Sequence, residues 1–331
     1  VNARWQPSVR EALSGDEIYS YGAPNLLVVG NDSLYVYALT RQASCDEETW
    51  GCVLLNSPAA PQFASDAGTG LAAGVKAAGI TPHPLDWDHL LRPLWGQATR
   101  LEKQAYAALQ DVEERATKFD QAHTPKRLAN HLATWERLSV KAADKIARYD
   151  DFVTLAEQVD AQFALIDIPS GEIRDPVAGV DVLRQVGQHL QAWEGRIYQK
   201  LSRNLTNWAD ALFSYHPVLE KALAPVAARW GQEAVHALSR LWQIEADEKH
   251  HPQPVSEQQA RQRLWEQSVD TASALLRSRG LWPAWADVSQ VLDRSWRGSM
   301  LAECVNGLLR PILRNRQHTD QGCLELFRCP A

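Results

Sequence analysis

The sequence predicts an α-rich α/β protein in which a sheet with flanking helices, at residues 1–89 and 290–331, is interrupted by a large all-helical insertion at 90–289. Three observations carry this. The first ninety residues break into short runs rich in branched and aromatic residues, separated by Gly, Pro and Asn turns. The next two hundred repeat apolar residues at three- and four-residue spacing in long stretches. One more amphipathic segment then follows near the carboxyl end.

Taken in order, Asp16–Tyr21, Leu26–Val29 and Leu34–Leu39 read as three strands, joined by the turns Gly22-Ala23-Pro24 and Gly30-Asn31-Asp32. Ser44 followed by Glu47 has the spacing of a capping box and opens a helix to about Leu55. Gln62–Ser65 reads as a strand, Gly68–Ala78 as a helix and His83–Trp87 as a last short strand, giving the order β-β-β-α-β-α-β. Helices are expected over 90–120, 126–149, 179–214, 218–248 and 256–279, broken at His123-Thr124-Pro125, Pro169-Ser170-Gly171, His216-Pro217, His251-Pro252 and Trp282-Pro283. Eleven of the 13 Trp residues lie between Trp87 and Trp296, which assigns most of the large aromatic core to the helical block. A final helix runs from Ser299 to about Asn315, with Pro311 inside it.

Composition narrows the class. The chain has 331 residues, 45% of them hydrophobic, and no apolar run long enough to span a bilayer, so no membrane partner is expected. It opens Val1-Asn2-Ala3-Arg4-Trp5 without an apolar leader segment, and its five cysteines show no CxxC spacing. Both features point to reduced thiols in a cytoplasmic protein. A net charge of −6 weighs against nucleic-acid binding overall, but residues 294–316 hold Arg294, Arg297, Arg310, Arg314 and Arg316 against Glu303, or 5 − 1 = +4. A local basic stripe of this kind engages phosphates even in an acidic chain.

The last helix carries the most specific chemistry. At about 100° per residue, Glu303, Asn306 and Arg310 share one face, while Val305, Leu308, Leu309, Ile312 and Leu313 take the other. Two further acids sit at strand positions. Asp16 alternates with Ile18 and Ser20 on one face of the first strand, and Asp66 follows the strand Gln62–Ser65 before a glycine-rich turn. Each has an ordinary explanation: Glu303 as part of a surface stripe, Asp16 as a solvated strand-end acid, Asp66 as a helix N-cap.

Together the segments resemble the DDE transposases, a family with a ribonuclease-H-like mixed sheet. Ser14-Gly15-Asp16-Glu17-Ile18-Tyr19, Phe63-Ala64-Ser65-Asp66-Ala67-Gly68, and Trp296-Arg297-Gly298-Ser299 through Glu303-Cys304-Val305-Asn306-Gly307-Leu308-Leu309-Arg310 look like its three catalytic segments in order. Leu85-Asp86-Trp87-Asp88-His89 resembles an acidic/His element after the fifth strand, and 303 − 66 = 237 positions leave room for a helical insertion of the kind many members carry.

The resemblance implies catalytic and metal-holding roles for Asp16, Asp66 and Glu303, with two Mg²⁺ or Mn²⁺ ions. It also implies DNA contacts from Arg297, Asn306, Arg310 and Arg314, and a supporting role for Asp88 and His89. The partners it implies are transposon ends and target DNA, with a homo-oligomer as the active complex, nucleoid-associated in a prokaryote. Hard divalent cations take oxygen ligands, and two of them serve in-line phosphoryl transfer. Members usually carry a further DNA-binding region and continue past the Glu helix, so a catalytic core is the expectation here.

Other readings compete. A transposase-derived protein that binds DNA or protein without cutting would keep the same pattern. Gly68-Thr69-Gly70-Leu71-Ala72-Ala73 also matches a dinucleotide-binding G-x-G-x-x-A, although no further βαβ units follow it. His250-His251 lack ligand-spaced partners and Cys304 lacks a base, so both read as ordinary residues.

Overall fold

The structure, a computed structural model, describes residues 11–20, 22–55, 60–120, 124–250, 263, 266–267, 269–271, 274, 282–295, 297–315, 321 and 324. The side chains at 119–120, 248–250, 312 and 314–315 are not among those described. Most of the helix expected over 256–279, the break at His251-Pro252, Trp296, Arg316 and the Arg314 side chain lie outside these residues.

Strands β1 (Leu13–Ser20), β2 (Ala23–Gly30) and β3 (Val36–Arg41) form an antiparallel meander, and β4 (Phe63–Ser65) joins β1 in parallel, giving the order β3-β2-β1-β4. Helices α1 (Glu47–Leu55) and α2 (Thr69–Ala77) flank β4 in sequence. The cap of α1 is Asp46, whose Oδ1 accepts the Thr49 N–H at 2.9 Å, in place of the expected Ser44–Glu47 box. The expected fifth strand reduces to one parallel bridge, Ser65 to Leu85. Pro82 and Pro84 explain this: they have no N–H, and only their carbonyls reach β4, accepting from Phe63 and Ser65.

Alternation along β1 loads both faces of the sheet. Leu13, Leu26, Val28, Ala38 and Phe63 pack with Trp50, Leu54, Leu71 and Val75 of α1 and α2. Ile18, Leu27, Val29 and Leu39 pack with Ala302, Leu309 and Leu313 and with Leu324. The latter face is the one that carries Asp16, so the last helix does return to the sheet and covers the acid.

The remaining helices are α3 (Asp88–Asp120), α4 (Pro125–Asp160), α5 (Pro176–Gln191), α6 (Arg196–Leu212), α7 (His216–Trp230), α8 (Gln232–His250), α9 (Trp282–Asp293) and α10 (Met300–Asn315). The expected helices 179–214 and 218–248 each divide at a glycine with left-handed backbone, Gly195 (φ 126°) and Gly231 (φ 88°). Two compact units result. One takes 1–89, 164–181 and 207–331, so α7, α8 and α9 group with the sheet; the other takes 90–163 and 182–206. In the second unit Leu90, Leu94, Leu101, Phe152, Leu183 and Leu205 are buried, and Phe152, Trp193 and Tyr198 meet ring to ring. The Trp residues are less central than expected: Trp50, beside the sheet, is fully buried, while Trp230 and Trp242 donate to Asp287 and Asp293 of α9.

Candidate functional site

Register builds the site. Gly15 of β1 pairs in parallel with Ser65 of β4, and Ser65 bridges Leu85 in parallel. The next residue on each segment is an acid: Asp16, Asp66 and Asp86. Asp16, midway along β1, therefore stands level with Asp66 and Asp86, which follow the carboxyl ends of β4 and of the Leu85 bridge, in a row at about 4.8 Å per step.

Helix α10 completes the group. Its start is tied down by Asp86, whose Oδ2 accepts both the backbone N–H and the hydroxyl of Ser299 at 2.7 Å, while Oδ1 accepts the Asp88 N–H at 2.9 Å. A carboxylate at a helix N-terminus also meets the positive end of the helix dipole. Gly298 lies against this carboxylate, where a Cβ would stand 3.1 Å from Asp86 Oδ1. Ser14 Oγ is 3.2 Å from the Gly298 carbonyl and 2.6 Å from Asn31 Oδ1, which ties the same turn to β1. One helical turn on, Glu303 Oε1 is 3.0 Å from His89 Nε2. Asp86, His89 and Glu303 each offer a ligand atom within 4.8 Å of the others, the one such trio among the described residues.

Asn306 follows three residues after Glu303 and is fully buried. Expected at DNA, its amide instead donates to Asp16 Oδ2 at 2.5 Å, and its Oδ1 has no partner among the described residues. Asp16 is 7% exposed. Burial pushes its carboxyl above the ordinary range, the Asn306 and Glu17 N–H groups pull it down, and the charges of Asp66 and Glu303 push it up, with a net rise. Asp16 therefore senses both other expected acids, although the tight trio is a different set. Glu17, on the opposite face of β1, accepts from Trp50 Nε1. Its carboxyl is also raised, by burial first and then by Asp66 and Asp16.

The ordinary explanation of Asp66 does not hold. The N-cap of α2 is Gly68, and Asp66 Oδ1 accepts the Gly68 N–H at 3.1 Å. Gly70 is needed because a Cβ there would collide with the Cys45 carbonyl. The two glycines of the G-x-G pattern thus serve local packing, and the mixed sheet is not the parallel one that a dinucleotide fold requires.

The expected basic stripe does not stay together. Arg294 pairs with Asp32 at 3.4 Å, and the Arg297 guanidinium lies 5.6 Å from the Tyr215 ring centroid. Arg310 is exposed and lines a pocket of about 180 Å³ with Glu17, Ile18, Tyr19 and Leu313. Asp88 opens α3, and its backbone serves Asp86. Asp86 is the site residue that sequence reasoning missed. Its signal was present, an acid inside the expected strand His83–Trp87 with His89 three positions later, but choosing it over Asp88 requires the register with Ser65. No family model matches the chain, and no curated protein and no solved structure matches it.

Proposed function

We propose that this chain is the catalytic core of a DDE-type transposase with a ribonuclease-H-like sheet, cleaving and joining DNA strands with divalent metal ions held by Asp16, Asp66 and Glu303. The observation that carries this reading is Asp16, a buried carboxylate held by Asn306 of α10 and raised first by burial and then by the charges of Asp66 and Glu303, which come from distant parts of the chain. Among the described residues no Lys or Arg pairs with Asp16, Asp66, Asp86 or Glu303. A cluster of two buried acids, Asp16 and Asp86, with two half-buried ones, Asp66 and Glu303, is costly unless a cation joins it. An all-oxygen set suits Mg²⁺ or Mn²⁺, and the unpartnered Asn306 Oδ1 fits an acceptor for bound water. The meander followed by a parallel β4 agrees with the β-β-β-α-β order of a ribonuclease-H-like domain.

Bound ions would supply an activated attacking oxygen and neutralise charge at the leaving oxygen. The chain's own groups do the holding. Asn306 fixes Asp16, Asp86 fixes the start of α10 and with it Glu303, and His89 orients the Glu303 carboxylate. Arg310, exposed beside the pocket at β1, offers a forked cation to a DNA phosphate. Transposon ends and target DNA are the substrates on this reading, and the active complex is a homo-oligomer.

The test is Mg²⁺-dependent nicking of duplex DNA by wild type and Glu303→Gln, with circular dichroism to verify folding. Loss of a partner behind a metal ligand costs about 10–100-fold, so loss of the ligand itself is expected to exceed about 100-fold. Equal rates would remove Glu303 from the mechanism. Wild-type protein that binds DNA yet never nicks it would be a non-catalytic relative.

A further inference from the structure

A second basic feature lies far from the acids in sequence, on α4. Between residues 125 and 148 there are six cations, Lys126, Arg127, Arg137, Lys141, Lys145 and Arg148, against Glu136 and Asp144: 6 − 2 = +4 in a chain of net −6. Their spacing is not random. Lys126, Asn130, Thr134, Arg137, Lys141 and Lys145 follow one another at three- or four-residue steps, which sets them in a line along one face of the helix. Lys126, Asn130, Arg137 and Lys141 are exposed, and Thr134 and Lys145 are half-buried. Among the described residues, Lys126, Arg127, Arg137, Lys141 and Lys145 make no ion pair.

The line ends for a structural reason. Arg148, three residues after Lys145, lies with its guanidinium 5.1 Å from the Trp193 ring centroid and 5.2 Å from that of Tyr198, and donates to the Glu194 carbonyl at 3.4 Å. From Phe152 onward the helix is committed to the core, with Leu155, Ala156 and Val159 buried. Arg148 is thus a cation used in folding, and the five before it have no such use.

We infer that this face of α4 binds the phosphate backbone of duplex DNA. From Lys126 to Lys145 is 19 residues, about 28 Å at 1.5 Å per residue, which approaches one duplex turn of about 34 Å. Cations four residues apart stand about 6 Å apart along the axis, close enough for successive ones to meet successive phosphates. The exposed apolar residues of this stretch, Leu132, Trp135 and Val140, lie off the line, which itself holds only charged, amide and hydroxyl side chains. Such contacts position without reading bases, so binding here is independent of sequence. The choice of DNA as the polyanion rests on the transposase reading of the acid cluster.

The full chain, in a metal chelator, is titrated with a labelled duplex across a range of salt concentrations. The triple variant K126Q/R137Q/K141Q is expected to bind at least about 10-fold more weakly near 0.1 M salt, with the slope of log K against log salt smaller by about 2.7, or about 0.9 for each phosphate no longer neutralised. The charge-retaining variant K126R/R137K/K141R restores both. An unchanged slope and affinity in the triple variant overturns the inference, as does a wild type that does not bind DNA. Binding to phosphatidylserine vesicles that is lost in the triple variant while DNA binding is unchanged also overturns it, in favour of a membrane surface. If nicking proves indifferent to Glu303→Gln while the triple variant still loses DNA affinity, the catalytic reading falls and the α4 surface stands.

Discussion

Replacing Asp86 by Ala tests whether one carboxylate joins the sheet to the helix that carries Glu303. Asp86 is 5% exposed and accepts three hydrogen bonds: two at 2.7 Å from Ser299 and one at 2.9 Å from Asp88. Hydrogen bonds to a charged acceptor contribute about 1.5–3 kcal/mol each, but three on one group share a single loss and do not add. Truncation leaves the buried Ser299 N–H and hydroxyl unpartnered, and it relieves repulsion from Glu303, whose carboxylate lies within 4.8 Å. The balance is a destabilisation of about 3 kcal/mol for Asp86→Ala. Asp86→Asn keeps one acceptor for Ser299 but sets an NH2 group against the Asp88 N–H, and is expected to lose about 1–2 kcal/mol. Urea unfolding at neutral pH measures both. On the proposed function, Mg²⁺-dependent nicking falls with Asp86→Ala as well, because Ser299 no longer holds the first turn of α10. A loss below about 0.5 kcal/mol for the Ala variant would show that α10 is held by its apolar face alone, and the reasoning would be wrong.

Three further outcomes follow from the same geometry. The raised carboxyl of Asp16 means that the folded state holds this proton more tightly than the unfolded state, so metal-free stability falls as pH rises through the carboxylate range, and the deficit persists at neutral pH. Asp16→Asn is therefore expected to raise the melting temperature in chelator at pH 7 and to lose that advantage near pH 4; no rise at pH 7 refutes the assignment. His83, pushed down to about 4 by burial and lying 2.7 Å from Ser65 Oγ, has the opposite sign. Its neutral form contributes stability above about pH 6.5 that is lost between about 6.5 and 4, and an NMR titration of its ring should show a midpoint well below 6. Gly70→Ala drives a Cβ into the Cys45 carbonyl and should cost about 1–3 kcal/mol in thermal or urea melts, whereas a neutral result would mean that the start of α2 yields freely.

Much of this protein is legible in local sequence. The three antiparallel strands, β4, α1 and α2 follow from turn residues and short β-type runs, and the long helices from three- and four-residue spacing, because these signals act between neighbours in the chain. The polar face of Glu303, Asn306 and Arg310 was readable on a helical wheel for the same reason. What the wheel cannot say is what covers that face. Only the packing of α10 on Ile18, Leu27 and Leu39 turns Asn306 inward to Asp16, while Arg310 is left exposed. Alternation placed Asp16 with Ile18 but left open which side of β1 is core, and both sides proved to be packed. The breaks at Gly195 and Gly231 depend on backbone conformations that a permissive residue allows without requiring.

Asp86 shows the division most clearly. Beside Asp88 in the sequence it is one acid among two, and no local rule separates them. The tertiary structure decides between them through the parallel register of Gly15, Ser65 and Leu85, which sets Asp16, Asp66 and Asp86 in one row. Register is a relation between segments 50 and 20 residues apart (65 − 15 and 85 − 65), set by hydrogen bonds that no single segment contains. Residue types and local periodicity thus determined which side chains were available, and long-range pairing determined which of them meet.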